Sequence, residues 1–214
     1  MEAATLETAV RARLRGRWLL DHPFYRRWTE GAVSVEELRA YAAQYRHFEA
    51  SLPAHLQTIA ATAASPALRA QALRNLDDEA GTAPTHLDLF DRFATALDAT
   101  RPAAASPAMA HLLDVYRAAV SRDAACGLAA LVAYEAQSPA VSASKAQGLR
   151  EHGILDGDAL DFWDVHATVD RDHAAWSLDA LAQSDADVDA LGESIGAAAD
   201  AWWSFLDERE ALRA

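Results

Sequence analysis

The sequence predicts an all-α fold, a single seven-helix bundle over residues 1–214. Alanine and leucine dominate while β-branched residues are sparse, and apolar positions recur at three- and four-residue spacing, with no long period-two alternation. The connections are short and no segment repeats, which fits one bundle. A first helix is expected over about residues 3–19, followed by the aromatic turn Asp21-His22-Pro23-Phe24-Tyr25 leading into Trp28. Ser34 with Glu37 forms a capping box that starts the second helix. Its buried face is Tyr41, Tyr45, Phe48 and Leu52, and Pro53 kinks or ends it. Ser65-Pro66 starts a third helix, which runs to about Glu79, is disturbed by Gly81 and Pro84, and resumes with Leu87, Phe90, Phe93 and Leu97 as its stripe. Residues 99–107 read as a linker too short to separate domains. A fourth helix follows over about 108–119, and a fifth over about 122–150 with a kink at Pro139. A loop at 153–157 leads to a sixth helix, about 158–182. Ser184 caps the last, which ends in Trp202, Trp203, Phe205 and Leu206.

Composition excludes several classes of function. Half the chain, 51%, is hydrophobic and 24% is charged, so it is neither a disordered polar chain nor a fibre. The net charge of −13 argues against a nucleic-acid backbone or an anionic membrane as partner. One cysteine, Cys126, leaves no intramolecular disulfide and no multi-cysteine zinc site. No run approaches the ~18 apolar residues of a bilayer span. Glu2 and Glu7 precede any basic residue, unlike a secretory signal, so a cytoplasmic location is expected. Of 19 basic residues, only Lys145 is a lysine. Genome composition can exchange lysine for arginine throughout a proteome, but a retained lysine can lose its proton and act as an amine, which an arginine cannot.

No phosphate loop, G-x-S-x-G elbow, H-E-x-x-H pair or C-x-x-C occurs. What remains is a set of histidines and carboxylates on apolar helices. His166, Asp170 and His173 in FWDVHATVDRDHAAW are spaced four and three apart, one helical face, in the company of Phe162, Val169 and Trp176. Two imidazoles and a carboxylate converging there suit a mid-first-row metal, and the alternative is a solvated polar stripe. Glu79 and His86 are two turns apart, but Gly81 and Pro84 interrupt them, and with Asp77 and Asp78 alongside they also read as surface. Glu135 lies in CGLAALVAYEAQSPAV, the most apolar stretch, where a carboxylate must be neutralised, paired or metal-bound unless it sits at a helix edge. Together these three carboxylates and three imidazoles could hold two metal ions with open positions for oxygen. The absence of Glu-x-x-His disfavours a ferritin-like di-iron bundle.

The ordered set resembles the pattern of the haem-oxygenase-like dimetal oxygenases and oxidases, whose bundle is of the TenA/PqqC-like architecture. Within that superfamily the chain is similar to the family of the chlamydial protein associating with death domains and its bacterial relatives. The likeness covers roughly residues 15–180 and is carried by HPFYRRW, VEELRAYAAQY, NLDDEAGTAPTHLDLF, AALVAYEAQSP and Lys145. The resemblance implies a self-sacrificing para-aminobenzoate synthase of folate biosynthesis. In it Tyr25 would be the consumed tyrosine, Lys145 the amino donor, and Tyr41 and Tyr134 site tyrosines that relay radicals. Glu79, His86, Glu135, His166, Asp170 and His173 would be metal ligands. It further implies two metal ions (Fe/Fe or Mn/Fe), O2, an external reductant of unknown identity and a homodimer. Ala83 departs from the family, which often has an aromatic there. Nothing in the residues encodes death-domain association.

Three other readings stay open. The metals could oxidise an external small molecule, Cys126 could act as the nucleophile of a thiaminase-like enzyme without metal, or the bundle could be a binding module with an acidic surface. Arg11, Arg13, Arg15 and Arg17 spread around their helix and read as solvated, and Cys126 reads more simply as a buried thiol. His22, His47, His55, His111 and His152 have no partner at ligand spacing and read as structural or surface residues.

Overall fold

Residues 3–99 and 104–213 are described by a computed structural model, and among them ten α-helices form and no strand. These are α1 (Ala3–Arg13), α2 (Pro23–Thr29), α3 (Val35–Thr62), α4 (Pro66–Ala80), α5 (His86–Ala96), α6 (Pro107–Arg122), α7 (Ala124–Glu135), α8 (Ser138–Glu151), α9 (Asp161–Ala182) and α10 (Val188–Ala211). Single 3-10 turns span Leu19–Asp21 and Gly157–Leu160.

The all-helical expectation holds, and the expected seven helices are corrected to ten. The first stops at Arg13, short of 19, and Gly16 follows at φ +75, a left-handed conformation that glycine adopts without steric cost. The aromatic turn is itself a helix, α2, because His22 Nδ1 accepts the Phe24 N–H and Pro23 needs no donor at the first position. The third element divides at Gly81 into α4 and α5, and Thr85 with Asp88 forms a fresh capping box. The fifth divides into α7 and α8, with Pro139 in the first turn of the second piece rather than at a kink. Asp187, not Ser184, caps α10. Pro53 does not end α3, although it deprives the Glu49 carbonyl of its helical donor. Residues 100–103 of the expected linker lie outside the described residues.

Helix α7 is the centre. Every residue from Ala124 to Tyr134 is buried, apolar all round, and α6, α9 and α10 pack against it. Helix α3 crosses α4, α5 and α6, and α8 lies along α9. A net of aromatic contacts fills the interior, with Tyr45 against Phe90, Trp163 and Trp202, and Phe48 against Tyr116 and Tyr134. The ends of α4, α5 and α7 and the inner face of α9 meet the middle of α3 beside this net. No helix among the described residues is long and apolar enough to cross a membrane.

Candidate metal centre and an adjoining phenol–amine cage

Helix α9 presents His166, Asp170 and His173 inward, all buried, as their spacing predicts. His166 Nδ1 lies 2.7 Å from the Phe162 carbonyl oxygen. A carbonyl only accepts, so Nδ1 carries the proton and Nε2 keeps the lone pair a metal would use. His173 is held from both sides, with Nε2 2.8 Å from Asp78 Oδ2 and Nδ1 3.5 Å from Asp170 Oδ1. Burial lowers the proton affinity of His173, but Asp170, Glu135 and Asp78 outweigh it and bring its pKa to about 9. Burial pushes Asp170 up, and the opposing pull of His166 and His173 keeps it below the ordinary carboxylate value.

Glu79 and His86 reach the site without sharing a helix. Glu79 lies in the last turn of α4 and His86 opens α5, and the turn between them sets His86 Nδ1 3.1 Å from Glu79 Oε2. Close as they are, the pair is not aligned as a hydrogen bond, and His86 Nδ1 has no hydrogen-bond partner. The His86 and His166 rings stand 4.5 Å apart, edge to face. Glu135 ends α7 with its carboxylate turned inward, accepting from Asn75 Nδ2 at 3.2 Å and Ser177 Oγ at 3.4 Å. Burial pushes it up to about 8, with Asp170 and Glu79 acting in the same direction and His173 against it.

Glu49 on α3 completes the cluster and is absent from the sequence-derived set. It is 2% exposed, and one ligand atom from each of Glu49, Glu79, His86 and His166 lies within 4.8 Å of the others. Glu135 and Asp170 join Glu49, Glu79 and His166 around a cavity of about 30 Å³. Its sequence signal was available: it follows Tyr45 by four residues, on the face predicted to be buried. Buried carboxylates, imidazoles with a free ring nitrogen and an orphaned acceptor fit a mid-first-row metal far better than they fit an apolar core.

Beside the cavity stands a second constellation. Lys145, 1% exposed, donates from Nζ to the Tyr41 hydroxyl at 2.7 Å. The Tyr25 and Tyr41 hydroxyls are 2.8 Å apart, and those of Tyr45 and Tyr134 are 2.7 Å apart. Lys145 Nζ sits 4.0 Å from the centre of the Trp163 ring and 4.7 Å from that of Tyr25. Burial lowers the Lys145 pKa well below 10.5, only partly offset by the charge of Glu49, which favours an amine with a free lone pair. The four phenols are all raised by burial and stay protonated. Tyr45 and Tyr134 also line the metal-side cavity, so the two constellations share a wall.

The remaining candidates have plainer roles. Arg11 pairs with Glu7 and Arg17 with Asp200 at the surface, while Arg13 and Arg15 are exposed. His22 caps α2, and His152 bonds the Thr29 carbonyl. Cys126 is buried near the Ala190 carbonyl, and burial raises its thiol pKa, the opposite of nucleophile activation. The groove beside it, about 630 Å³, gathers no histidine or glutamate.

A family model described as iron-containing redox enzyme matches residues 39–206. The chain is 34% identical to a 4-aminobenzoate synthase of Nitrosomonas europaea, over 97% of this chain and 92% of that protein. It is 31% identical to a 4-aminobenzoate synthase of Chlamydia pneumoniae, over 88% of this chain and 87% of the relative. Among solved structures, a CADD-like protein of unknown function from Nostoc punctiforme superposes with a TM-score of 0.82 at 18% identity, covering 99% of this chain and 98% of the other. A TenA homologue from P. horikoshii does so at 0.76 and 15%, covering 95% and 97%. At these identities the two structures establish a shared fold.

Proposed function

The chain belongs to the haem-oxygenase-like family of iron-containing redox enzymes, and from that premise we propose that it is an oxidoreductase making 4-aminobenzoate from its own Tyr25, with Lys145 as amino donor. The names of the relatives support the product. The observation that carries the self-substrate reading is the buried Lys145 amine, 4.7 Å from the Tyr25 ring centre and joined to its hydroxyl through Tyr41.

The carbon count agrees. The product is a benzene ring bearing one carboxyl carbon and, para to it, a nitrogen. A tyrosine side chain supplies the ring and its Cβ, and its phenolic carbon is the position the nitrogen must take. Lys145 is the buried amine beside that ring. Tyr41 touches both the amine and the Tyr25 hydroxyl and can pass a proton between them. Glu79, His86, Glu135, His166, Asp170 and His173 would hold two metal ions, Fe/Fe or Mn/Fe. When bound, that pair would supply oxidising power from O2 with electrons from an external reductant. Tyr134 and Tyr45 form the wall through which oxidation would reach Tyr41. The cavity of about 30 Å³ has room for a water or a diatomic gas.

The test is to express the protein with ring-13C tyrosine, exchange it into unlabelled buffer, load it with Fe(II) or Mn(II) and Fe(II), and add reductant and O2. Labelled 4-aminobenzoate and a matching loss in protein mass are expected, and both vanish in Tyr25→Phe. Unlabelled product, or product from Tyr25→Phe and Lys145→Arg alike, would overturn the reading.

A further inference from the structure

Glu49 is the one buried acid of the cavity to which neither the sequence pattern nor the fold likeness gives a role. It projects from the middle of α3 between the apolar neighbours Phe48 and Leu52, and it lines the cavity with Asn75, Glu79, Glu135, His166 and Asp170. Its Oε1 has no hydrogen-bond partner, although the side chain is 2% exposed. A buried carboxylate without a cation is among the most costly arrangements a core can contain. Lys145, the basic side chain that bears on it electrostatically, directs its Nζ to Tyr41.

We propose that Glu49 is a seventh protein ligand of the metal centre, sharing one ion with Glu79, His86 and His166. This rests on the metal reading above and adds a donor to it. Three observations support it. The ligand atoms of these four residues already lie within 4.8 Å of one another, a spacing that small side-chain movements can close around a single ion. The orphaned oxygen gains a partner. The charge also balances: Glu79, Glu135 and Asp170 bring three negative charges against the four positive charges of two divalent ions, and Glu49 brings the fourth. A neutral centre is the one a dry apolar bundle interior accommodates at least cost. Pro53, four residues on, leaves the Glu49 carbonyl free of its helical bond, so α3 has local freedom where the carboxylate must adjust.

Anaerobic Mn(II) titration with free Mn(II) read by electron paramagnetic resonance tests this, using wild type, Glu49→Gln, Glu49→Leu and His166→Ala. Wild type is expected to bind two ions. Glu49→Gln and Glu49→Leu should weaken one of them at least 10-fold and leave the other within about threefold, since even an outer partner of a metal ligand is worth ~10–100-fold. Melting of the chelator-stripped variants should match or exceed wild type, because a buried acid has been removed. Two ions held at wild-type affinity by both Glu49 variants, with His166→Ala impaired, would overturn the proposal and leave the metal reading intact. Wild-type affinity in all of them would overturn both. Stripped Glu49 variants that melt several degrees lower while keeping both ions would make Glu49 a structural acid and overturn the proposal.

Discussion

Protein stripped of metal by a chelator should lose stability as pH rises from about 6.5 to 9, and the site dictates the size of the loss. His173 titrates near 6.5 in the unfolded chain and near 9 when folded, held between Asp78 and Asp170. A raised folded pKa means stability that is complete below the unfolded value and disappears as pH climbs through the folded one. At ~1.4 kcal/mol per pH unit, the step from 6.5 to 9 is worth about 3 kcal/mol. Glu135, raised by burial from 4.5 to about 8, binds a proton in the fold that the unfolded chain has released, which adds about 2 kcal/mol between pH 6.5 and 8. Burial moves the Glu49 pKa up and that of Lys145 down, so those two act in opposite directions. The buried histidines with lowered pKa, His22 and His55, act below 6.5. A net loss of about 5 kcal/mol corresponds to a fall of roughly 10–20 °C in melting temperature for a chain of this size. Calorimetry of stripped protein at half-unit pH intervals, in 0.2 M salt to screen the overall charge, measures it. Glu135→Gln should roughly halve the slope between 6.5 and 8, where His173 still titrates, and leave the fall from 8 to 9. Stability that is level or rising over this window, or a Glu135→Gln curve parallel to wild type, would refute the reasoning.

Lys145→Met, which keeps the volume and removes the amine, should stay within about 1.5 kcal/mol of wild type in urea melts and yield no 4-aminobenzoate. Lys145→Arg forces a permanent charge among Trp163, Tyr25 and Tyr41 and should cost several kcal/mol besides. Asp78→Asn removes the carboxylate that fixes the His173 ring from outside; metal affinity should drop ~10–100-fold in a chelator competition while the helical circular-dichroism signal is kept. Cys126→Ser should leave product yield per chain unchanged, and a yield reduced more than about threefold would return the thiol to consideration.

Much of the fold and of the site was readable in the sequence, and what was not was hidden for identifiable physical reasons. The trio on α9 was legible because four- and three-residue spacing on one uninterrupted helix admits a single geometry. Glu135 was legible because a carboxylate inside Cys126–Val141 has nowhere neutral to go. Glu79 and His86 converge by another route than helical periodicity: a bend, not two turns of helix, brings Nδ1 and Oε2 to 3.1 Å. The division between α7 and α8 was hidden because Ala136 and Gln137 are not helix breakers, and a proline suits the first turn of a new helix as well as it suits a kink. Glu49 and Tyr45 escaped notice for opposite reasons. One is an acid on a stripe read only for its aromatic residues, and the other an aromatic counted as packing although its hydroxyl bonds Tyr134.

The two constellations impose conflicting demands, and α3 is where they meet. Oxidising a phenol requires that water be kept away, and the cage does this by burying Tyr25, Tyr41, Tyr45 and Lys145 almost completely. The same burial favours Lys145 as an amine and keeps the phenols protonated, so if Tyr25 and Lys145 are the reactants proposed above, folding alone would prepare them. On the proposed reading the exclusion that favours the chemistry also limits it. Removing the Tyr25 ring leaves a hole against Phe24, Trp28 and Tyr41 of the kind that costs about 3–5 kcal/mol in other cores, a large part of what holds a domain together. A chain that consumes its own Tyr25, as proposed, would therefore yield one product per chain.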